Sequence, residues 1–359
     1  MELMRKKEIS LISLTDKPSG AENVLLKMAI NVNGKLIFIA KSKDIHLDIP
    51  DDLSKVYISR NIYIGMLKLI PLLGKLKKDE IVMSTHPYLN AYLGFFKRIG
   101  YLKSQLIARE CTSVFTRFSG VKKLAYQIIY EVGYPAVDLV ICQTDIMKTQ
   151  LMDHNAFLDS TRVIVQPNPV DFDKMILLGN EPFVEDDVNT EFICTAGRLI
   201  PEKGFDVLIK AFKILHKSYP NLKLYILGEG KERQVLNQLI ENYKLENSVI
   251  LKGHISNPAP YFKNAKLCVV SSIKEGFPNV LLEMMALNPV IVSTLCAGGI
   301  ASIPNITTVE VNNSEALAAA MQNTLINNQF ESNPHVDFLL ERSPKNFAES
   351  TLRALARLQ

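Results

Sequence analysis

Short apolar runs recur along the whole 359-residue chain, and stretches of helical periodicity lie between them. Six runs lie in the amino-terminal half, at residues 9–14, 35–40, 55–58, 81–84, 105–108 and 139–142. Six more lie in the carboxyl-terminal half, at residues 192–196, 223–227, 249–251, 267–270, 290–293 and 308–311. Strands that alternate with helices favour parallel sheets with helices on both faces. Two such sets predict an α/β chain of two doubly wound, Rossmann-like domains.

The length agrees with two domains, because 359 residues exceed what one hydrophobic core ordinarily holds. The boundary is predicted within residues 171–190, which include an acidic, strand-poor stretch at 181–187. We therefore assign a first domain to residues 1–172, a second to residues 173–340, and a final segment to residues 341–359. The pattern over residues 346–358 predicts that this segment is helical.

The composition excludes several classes of protein. With 47% hydrophobic and 22% charged residues, the chain is predicted to be globular. No apolar run reaches the roughly 20 residues that span a bilayer, and residues 1–7 do not resemble a signal peptide. The five cysteines lie far apart, at 111, 142, 194, 268 and 296, so neither a disulfide framework nor a metal site is expected. These features predict a cytoplasmic protein.

The charge is concentrated in residues 53–123, which hold 13 basic and 3 acidic residues, a net charge of +10. Large apolar residues are interleaved with these cations, for example in 62–73 and 115–118. Such a pattern is typical of a surface that contacts an anionic inner membrane leaflet. An equally weighted alternative is a helix that buries its apolar face and exposes its lysines. Binding to nucleic acid is not expected, because no nucleic-acid-binding motif accompanies the basic residues.

The segment 275–283 carries the strongest chemical signal, two carboxylates eight positions apart. Eight residues are a little over two helical turns, so Glu283 is expected roughly below the loop that presents Glu275. Gly276 and Pro278 interrupt the chain and leave backbone N–H groups at the start of the helix, where anionic ligands bind well. The alternative is a capped helix with two solvated glutamates.

A second polar segment follows the predicted strand at 192–196. Arg198 precedes Lys203 by five positions, and Gly204 stands at the start of the next helical pattern. Ligands of open α/β sheets bind beyond the carboxyl ends of the strands. There an arginine, a lysine and helix-terminal N–H groups together would stabilise a diphosphate. The alternative is a pair of solvated loop residues.

Segment 275–283 resembles the paired-glutamate motif of family 4 glycosyltransferases, which are retaining enzymes of the GT-B fold. In that fold two Rossmann-like domains face each other across a cleft. The segment with Arg198 and Lys203 is similar to the family's donor-phosphate segment. Further similarity occurs at residues 19–22, 163–171, 225–230 and 250–253. The resemblance is dense from about residue 160 to 305 and thin elsewhere.

The resemblance implies a metal-independent enzyme without a cofactor that takes a sugar from a nucleotide-sugar, expected to be a UDP-sugar. It implies that Glu283 binds the ribose hydroxyls of the nucleotide and that Glu275 lies near the transferred sugar. The implied catalytic residues are Glu275, Arg198, Lys203 and His86. The implied donor-binding residues are Gly20, Arg198, Lys203, Gly228, His254, Glu275, Gly276, Phe277, Pro278, Asn279, Val280 and Glu283. For Gly228 a tight turn is the alternative role.

The amino-terminal domain is expected to bind the acceptor. His86 follows a predicted strand, and the family often has a sugar-contacting histidine in this region; the alternative is a structural histidine. Arg109 and Glu110 follow the next predicted strand and either bind the acceptor's phosphate or pair with each other. Glu22 is interpreted as a residue that caps the helix after Gly20.

Two segments depart from the family pattern. Asn288 stands where glycine is usual, and asparagine is the next best residue for a left-handed helix end. Ser302 follows the glycine pair at 298–299 in a place where an acidic residue is common, which affects the expected contacts to the donor sugar. The family's architecture also implies that the final helix packs on the first domain.

The predicted function is therefore a retaining hexosyltransferase that acts on a lipid-linked saccharide in O-antigen, capsule or related polysaccharide biosynthesis. Because the expected acceptor is lipid-linked, the enzyme is predicted to lie on the inner face of the cytoplasmic membrane. Two alternatives remain, a nucleotide-sugar epimerase of the same fold and a non-catalytic partner subunit of a glycosyltransferase.

Overall fold

The structure is a computed structural model that describes residues 7–43, 45–182, 190–327, 330 and 332–358. The amino-terminal residues 1–6 and residues 183–187 of the predicted acidic stretch lie outside the described residues. The chain divides into two compact units. The first consists of Met1–Pro169 together with Pro344–Gln359, and the second of Val170–Ser343.

The first unit contains one parallel sheet of seven strands, in the order β3-β2-β1-β4-β5-β6-β7. Its strands are β1 (Ile9–Thr15), β2 (Lys35–Ala40), β3 (Lys55–Ser59), β4 (Ile81–Ser84), β5 (Gln105–Arg109), β6 (Leu139–Cys142) and β7 (Val163–Val165). Its helices are α1 (Gly20–Val32), α2 (Ile62–Leu73), α3 (Pro87–Arg98), α4 (Val114–Arg117), α5 (Gly120–Gly133), α6 (Asp145–His154) and, from the final segment, α14 (Pro344–Ala356).

The second unit contains a parallel sheet of six strands, in the order β10-β9-β8-β11-β12-β13. Its strands are β8 (Phe192–Ala196), β9 (Lys223–Leu227), β10 (Val249–Gly253), β11 (Leu267–Val270), β12 (Ile291–Thr294) and β13 (Thr307–Val309). Its helices are α7 (Phe172–Gly179), α8 (Phe205–His216), α9 (Arg233–Asn242), α10 (Ala259–Asn264), α11 (Asn279–Leu287), α12 (Ser314–Ile326) and α13 (Val336–Leu340).

Both sheets are doubly wound, as the sequence predicts, and their strand orders fix where a ligand can bind. In the first sheet the order reverses between β1 and β4, and in the second between β8 and β11. At such a switch point the two following loops lead to opposite faces of the sheet and leave a crevice at the carboxyl ends of the strands. The loops after β1, β4, β8 and β11 therefore define the candidate site of each unit.

The apolar periodicity predicts the buried face of the helices well. In α8, for example, Val207, Leu208, Ala211, Phe212 and Leu215 all lie in the core. Each of the twelve predicted strands overlaps an observed one, whereas β7, with only three residues, was not predicted as a strand. The final helix packs against α1 within the first unit. There the side chain of Gln166 donates to the carbonyl of Phe347 at 2.7 Å and accepts from Thr351 at 2.9 Å.

The predicted left-handed conformation of Asn288 is wrong. The residue is extended, with φ −137° and ψ 126°. Its side-chain amide donates to the carbonyls of Phe262 and Ala265 at 2.8 and 2.7 Å, and its Oδ1 accepts from the backbone N–H of Val290 at 2.8 Å. The side chain thus ties the residue after α11 to the carboxyl end of α10 by hydrogen bonds that glycine could not make, so Asn288 does not act as a substitute for glycine.

Candidate functional site

Two loops of the second unit meet through a lysine–glutamate ion pair. Lys203, on the loop between β8 and α8, lies with its Nζ 2.5 Å from Oε1 of Glu275, on the loop between β11 and α11. The same carboxylate oxygen accepts from Ser272 Oγ at 2.8 Å, and Ser271 Oγ donates to the carbonyl of Lys203 at 3.0 Å. The two side chains keep 17% and 19% of their surface exposed, so a ligand can reach them.

A glycine makes the close approach of these two loops possible. Gly204 has φ +60°, and a Cβ at this position would lie 2.3 Å from the carbonyl oxygen of Ser271. A side chain would therefore push the two loops apart. The close approach places Lys203 beside Glu275 at the switch point of the second sheet.

Backbone packing also explains Gly228. Its φ is +144°, and a Cβ would lie 1.9 Å from the carbonyl oxygen of Gly197 on the loop that carries Arg198. Gly230 packs in the same way on Leu199, at 2.3 Å. The glycines after β9 thus support the Arg198 loop. This backbone contact is enough to explain why position 228 is glycine, whether or not a ligand binds there. The role of Gly228 in donor binding stays a prediction.

The remaining predicted donor residues of the second unit lie around the same edge of its sheet. Arg198 and His254 are exposed. The residues before and at the start of α11 are half-buried except for the buried Pro278, which precedes the first turn of the helix. These residues are Gly276, Phe277, Pro278, Asn279 and Val280. Glu283 is half-buried in the second turn of α11.

The first unit has a different arrangement at its own switch point, between β1 and β4. Ser19 is the N-cap of α1, which begins at Gly20. The buried carboxylate of Glu22 lies with Oε1 2.6 Å from Nε2 of His86, the N-cap residue of α3. Ser13 donates to the same carboxylate at 3.0 Å, and Ser19 donates to its other oxygen. The sequence interpretation of Glu22 as a simple helix cap missed its contact with His86.

Arg109 and Glu110, the predicted acceptor residues, are buried in the first unit, with 0% and 2% of their surface exposed. The guanidinium of Arg109 donates to the side chains of Asn168 and Thr85. Glu110 accepts from Tyr130 Oη at 2.6 Å and also from Tyr134 Oη. Burial lowers the pKa of Arg109 and raises the pKa of Glu110. Internal hydrogen bonds therefore account for both residues, and neither lies on a surface that could meet an acceptor.

Two contacts of the candidate site were not predicted from the sequence, and one of them follows from strand order. Glu22 lies on α1 and its partner His86 lies 64 positions later, beside it only because β1 and β4 are neighbours. Ser272, which holds Glu275, ends a buried apolar run. The position of Ser272, a polar residue soon after a buried apolar run, could have indicated from the sequence that it belongs to the site.

Among the described residues, no group of three or more histidine, cysteine, aspartate or glutamate side chains is placed to hold a metal ion. Within the same residues, no helix is both long and apolar enough to cross a membrane.

Comparison with known proteins identifies the second unit. Residues 181–336 match the family model described as glycosyl transferases group 1. This match covers most of the second unit. An uncharacterized glycosyltransferase of Methanocaldococcus jannaschii is 36% identical over 51% of this chain, which spans only 45% of that relative. The chain is also 28% identical, over 81% of both proteins, to a Campylobacter jejuni enzyme. That enzyme is N-acetylgalactosamine-N,N'-diacetylbacillosaminyl-diphospho-undecaprenol 4-alpha-N-acetylgalactosaminyltransferase.

The fold agrees with that of solved glycosyltransferases. The crystal structure of Anabaena HepE in complex with UDP superposes with a TM-score of 0.78 over 98% of this chain and 100% of that one, at 16% identity. This likeness shows that the fold is GT-B, as predicted. The prediction of an enzyme, a glycosyltransferase of the hexosyltransferase type, is confirmed by the family match and by the similarity to the Campylobacter enzyme.

Proposed function

We propose that the protein is a retaining, metal-independent glycosyltransferase that moves a sugar from a UDP-sugar onto a lipid-linked saccharide. The observation that carries this proposal is the Lys203–Glu275 pair, held by two loops at the switch point of the second sheet. The pair sets a cation and a hydrogen-bonding carboxylate side by side, and in this proposal they would meet the diphosphate and the sugar of the donor. HepE, a structural relative, is solved with UDP, which supports the choice of nucleotide.

In this mechanism the second unit stabilises the leaving group. Negative charge grows on the diphosphate as its bond to the sugar breaks, and Lys203, Arg198 and the N–H groups at the start of α11 would balance that charge without a metal. Glu275 would accept hydrogen bonds from the sugar hydroxyls, and Glu283 from the ribose. The acceptor hydroxyl attacks from the face that the diphosphate leaves, so the anomeric configuration is retained. Positioning and charge stabilisation carry the reaction, and no protein nucleophile is needed.

The proposed acceptor is a saccharide linked to a lipid diphosphate, as in O-antigen, capsule and related polysaccharide pathways. The Campylobacter relative, which matches 81% of this chain, is named for a diphospho-undecaprenol acceptor. The basic residues of the first unit provide charge of the sign that such an acceptor requires.

Thermal shift and transfer assays test the proposal. UDP is expected to raise the melting temperature, and Arg198→Ala to weaken that shift. With a UDP-sugar and a lipid-diphosphate saccharide, transfer should give a product with retained anomeric configuration and should persist in EDTA. Release of free UDP without an acceptor-linked product would favour the epimerase alternative. Absence of any nucleotide shift would favour the non-catalytic partner subunit.

Contact with an anionic membrane is part of the same proposal, because the acceptor lipid lies there. Helix α2 buries Gly65, Leu69 and Leu73 but leaves large apolar side chains exposed. Helix α5 presents a second exposed apolar stripe, also beside lysines. The exposed side chains are Ile62, Tyr63, Ile64 and Leu67 on α2, and Val121, Leu124, Ile128 and Val132 on α5. Apolar side chains next to cations suit the membrane interface, where each Lys or Arg contributes about 1 kcal/mol.

Vesicle flotation tests the membrane contact. The protein is expected to float with vesicles that contain phosphatidylglycerol and not with pure phosphatidylcholine. Leu67→Ser on α2, which removes a side chain that is 68% exposed, should weaken flotation. Val235→Ser on α9 of the second unit, where Val235 is 53% exposed, is the matched control and should leave flotation unchanged. Equal flotation of both variants and the wild type would contradict the assignment of this surface.

A further inference from the structure

The carboxylate of Glu22 is built into a network whose members come from β1, α1 and the loop after β4. It is 4% exposed, and it accepts from Ser13 Oγ at 3.0 Å and from Ser19 Oγ. Its third partner is the imidazole of His86, whose Nε2 lies 2.6 Å away. A buried carboxylate remains ionised when donors satisfy its oxygens and a cation lies beside it.

Three titratable side chains face His86 from the elements packed around it. They are Glu22 on α1, Tyr88 on α3, whose ring centroid lies 6.0 Å from that of His86, and Cys111 after β5. Burial disfavours the imidazolium, but Cys111 and Glu22 outweigh it and raise the pKa of His86 to about 9. The same contact with His86 lowers the pKa of Glu22 in spite of its burial. His86 therefore carries a positive charge at neutral pH.

We propose that Glu22 is a positioning residue that holds His86 as an imidazolium, so that His86 acts on bound substrate as a cation and not as a base. The imidazole retains 20% of its surface exposed, so a substrate oxygen can reach it. This inference rests on the proposed function, since it requires that the loop after β4 meets a substrate. The chemistry that suits a fixed cation here is a diphosphate oxygen, whether of the nucleotide-sugar or of the lipid acceptor.

The assignment agrees with the chemistry of the proposed reaction. A retaining transfer without a protein nucleophile gains from fixed positive charge near the diphosphates. A neutral histidine at this position would instead accept a proton, as a general base does. The two roles have opposite pH dependence, which makes them separable: a cation loses its effect as pH rises through the pKa, whereas a base gains its effect.

A titration by NMR tests the charge state independently of any substrate. The protein contains six histidines, and His86→Asn identifies the signal of His86 in histidine-labelled protein. The midpoint of His86 is expected near pH 9 in the wild type and at a clearly lower pH in Glu22→Gln, which keeps Cys111 but loses the carboxylate. A wild-type midpoint near 6.5 would overturn the inference even if sugar transfer is observed. A midpoint near 9 supports it even if the proposed donor or acceptor is wrong.

Transfer activity supplies the second readout. Wild-type kcat/KM should fall as pH rises through about 9, and the same fall should occur at a lower pH in Glu22→Gln. Lowering the pH should then restore transfer by Glu22→Gln, which would not rescue a merely structural defect. The substrate whose KM rises in Glu22→Gln at pH 8 is the one whose diphosphate meets His86.

Asp16→Asn is the matched control, because Asp16 is also buried and its Oδ2 lies 2.7 Å from Nδ1 of His46 in the same unit. Asp16→Asn should not change the pH at which kcat/KM falls. Ser13→Ala keeps the ion pair and removes one hydrogen bond to Glu22, so it serves if Glu22→Gln does not fold; it should move the fall only slightly. An alkaline fall that stays near pH 9 in folded Glu22→Gln, or activity that rises through the titration of His86, would overturn the inference.

Discussion

Both units place charged residues at the carboxyl ends of their strands, but the burial of these residues differs between the units. In the second unit Lys203 and Glu275 pair with each other and stay partly exposed, and Arg198 is exposed. In the first unit Arg109 and Glu110 are enclosed by the protein and hydrogen-bond only with internal groups among their described contacts. His86, beside the buried Glu22, keeps 20% of its surface exposed.

This difference in burial separates charged residues that are available to bind a substrate from charged residues that stabilise the fold. A charge taken out of water needs several hydrogen bonds to remain stable, and removing one partner leaves the rest unsatisfied. Substitution of the enclosed charges should therefore reduce stability. A partly exposed ion pair contributes little to stability, because solvent screens it and replaces its partners. Substitution of the open charges should therefore reduce transfer and leave stability nearly unchanged.

The largest effect is expected for Lys203→Ala. It removes a cation from the proposed diphosphate site, and loss of one preorganised charge-stabilising group lowers kcat by about 10²–10³-fold. The free energy of unfolding should change by less than about 1 kcal/mol, because the ion pair is partly exposed. Steady-state transfer assays and urea denaturation measure the two quantities.

Lys210→Ala is the control for this prediction. Lys210 forms an exposed pair with Asp206 in the same unit, at 2.9 Å and four positions apart on α8. Its loss should leave transfer at the wild-type rate. Full activity of Lys203→Ala would show that the partly exposed charges of the second unit do not serve catalysis. The proposed difference in role between the charges of the two units would then be wrong.

The next prediction compares two arginines, one from each unit. Arg109→Ala should destabilise the protein by about 2–4 kcal/mol, because it removes the buried hydrogen bond to Asn168 and opens a cavity in the core. Arg198→Ala, at an exposed position, should change stability by less than about 0.5 kcal/mol and reduce UDP binding. Chemical denaturation gives the stabilities and calorimetry the nucleotide affinities. Equal destabilisation by both variants would contradict the distinction drawn from burial.

The same contrast explains how much could be predicted from the sequence. The two parallel sheets follow from alternating apolar runs, and the Arg198–Lys203 and 275–283 segments are local motifs that a linear reading detects. The contact of Glu22 with His86 is not local, because it depends on β1 and β4 becoming neighbours. Burial of Arg109 and Glu110 was also not predictable, since their polar partners Asn168, Tyr130 and Tyr134 are distant in sequence.

The ion pair of the first unit should make stability depend on pH. The pKa of His86 is raised to about 9, so its contribution is fully present below its unfolded value of 6.5 and is lost as pH rises through 9. The pKa of Glu22 is lowered from 4.5, so its contribution is present above that value and is lost as pH falls below it. Wild type should therefore exceed Glu22→Gln in stability by about 2 kcal/mol between pH 5 and 6.5, with a smaller difference at pH 10.

Urea denaturation of both proteins across this pH range measures the difference. Glu229→Gln is the control from the second unit, because Glu229 forms an exposed pair with Arg233 at 2.8 Å. Its effect should be within about 0.5 kcal/mol and flat over the same range. A flat difference for Glu22→Gln as well would show that the buried pair is no more coupled to folding than the exposed one.

The smallest effects are expected from two asparagine-to-glycine substitutions, one in each unit. Asn33 ends α1 in the left-handed region, with φ 48° and ψ 46°, where glycine is favoured. Asn33→Gly should change stability by less than about 0.5 kcal/mol, because relief of strain offsets the added freedom of the unfolded chain. Asn288 is extended and makes three side-chain hydrogen bonds, so Asn288→Gly should cost about 1–2 kcal/mol although the related family usually has glycine there. Thermal denaturation of the two variants side by side measures both changes in stability. If Asn288→Gly is as stable as the wild type, the side-chain hydrogen bonds of Asn288 do not contribute to stability.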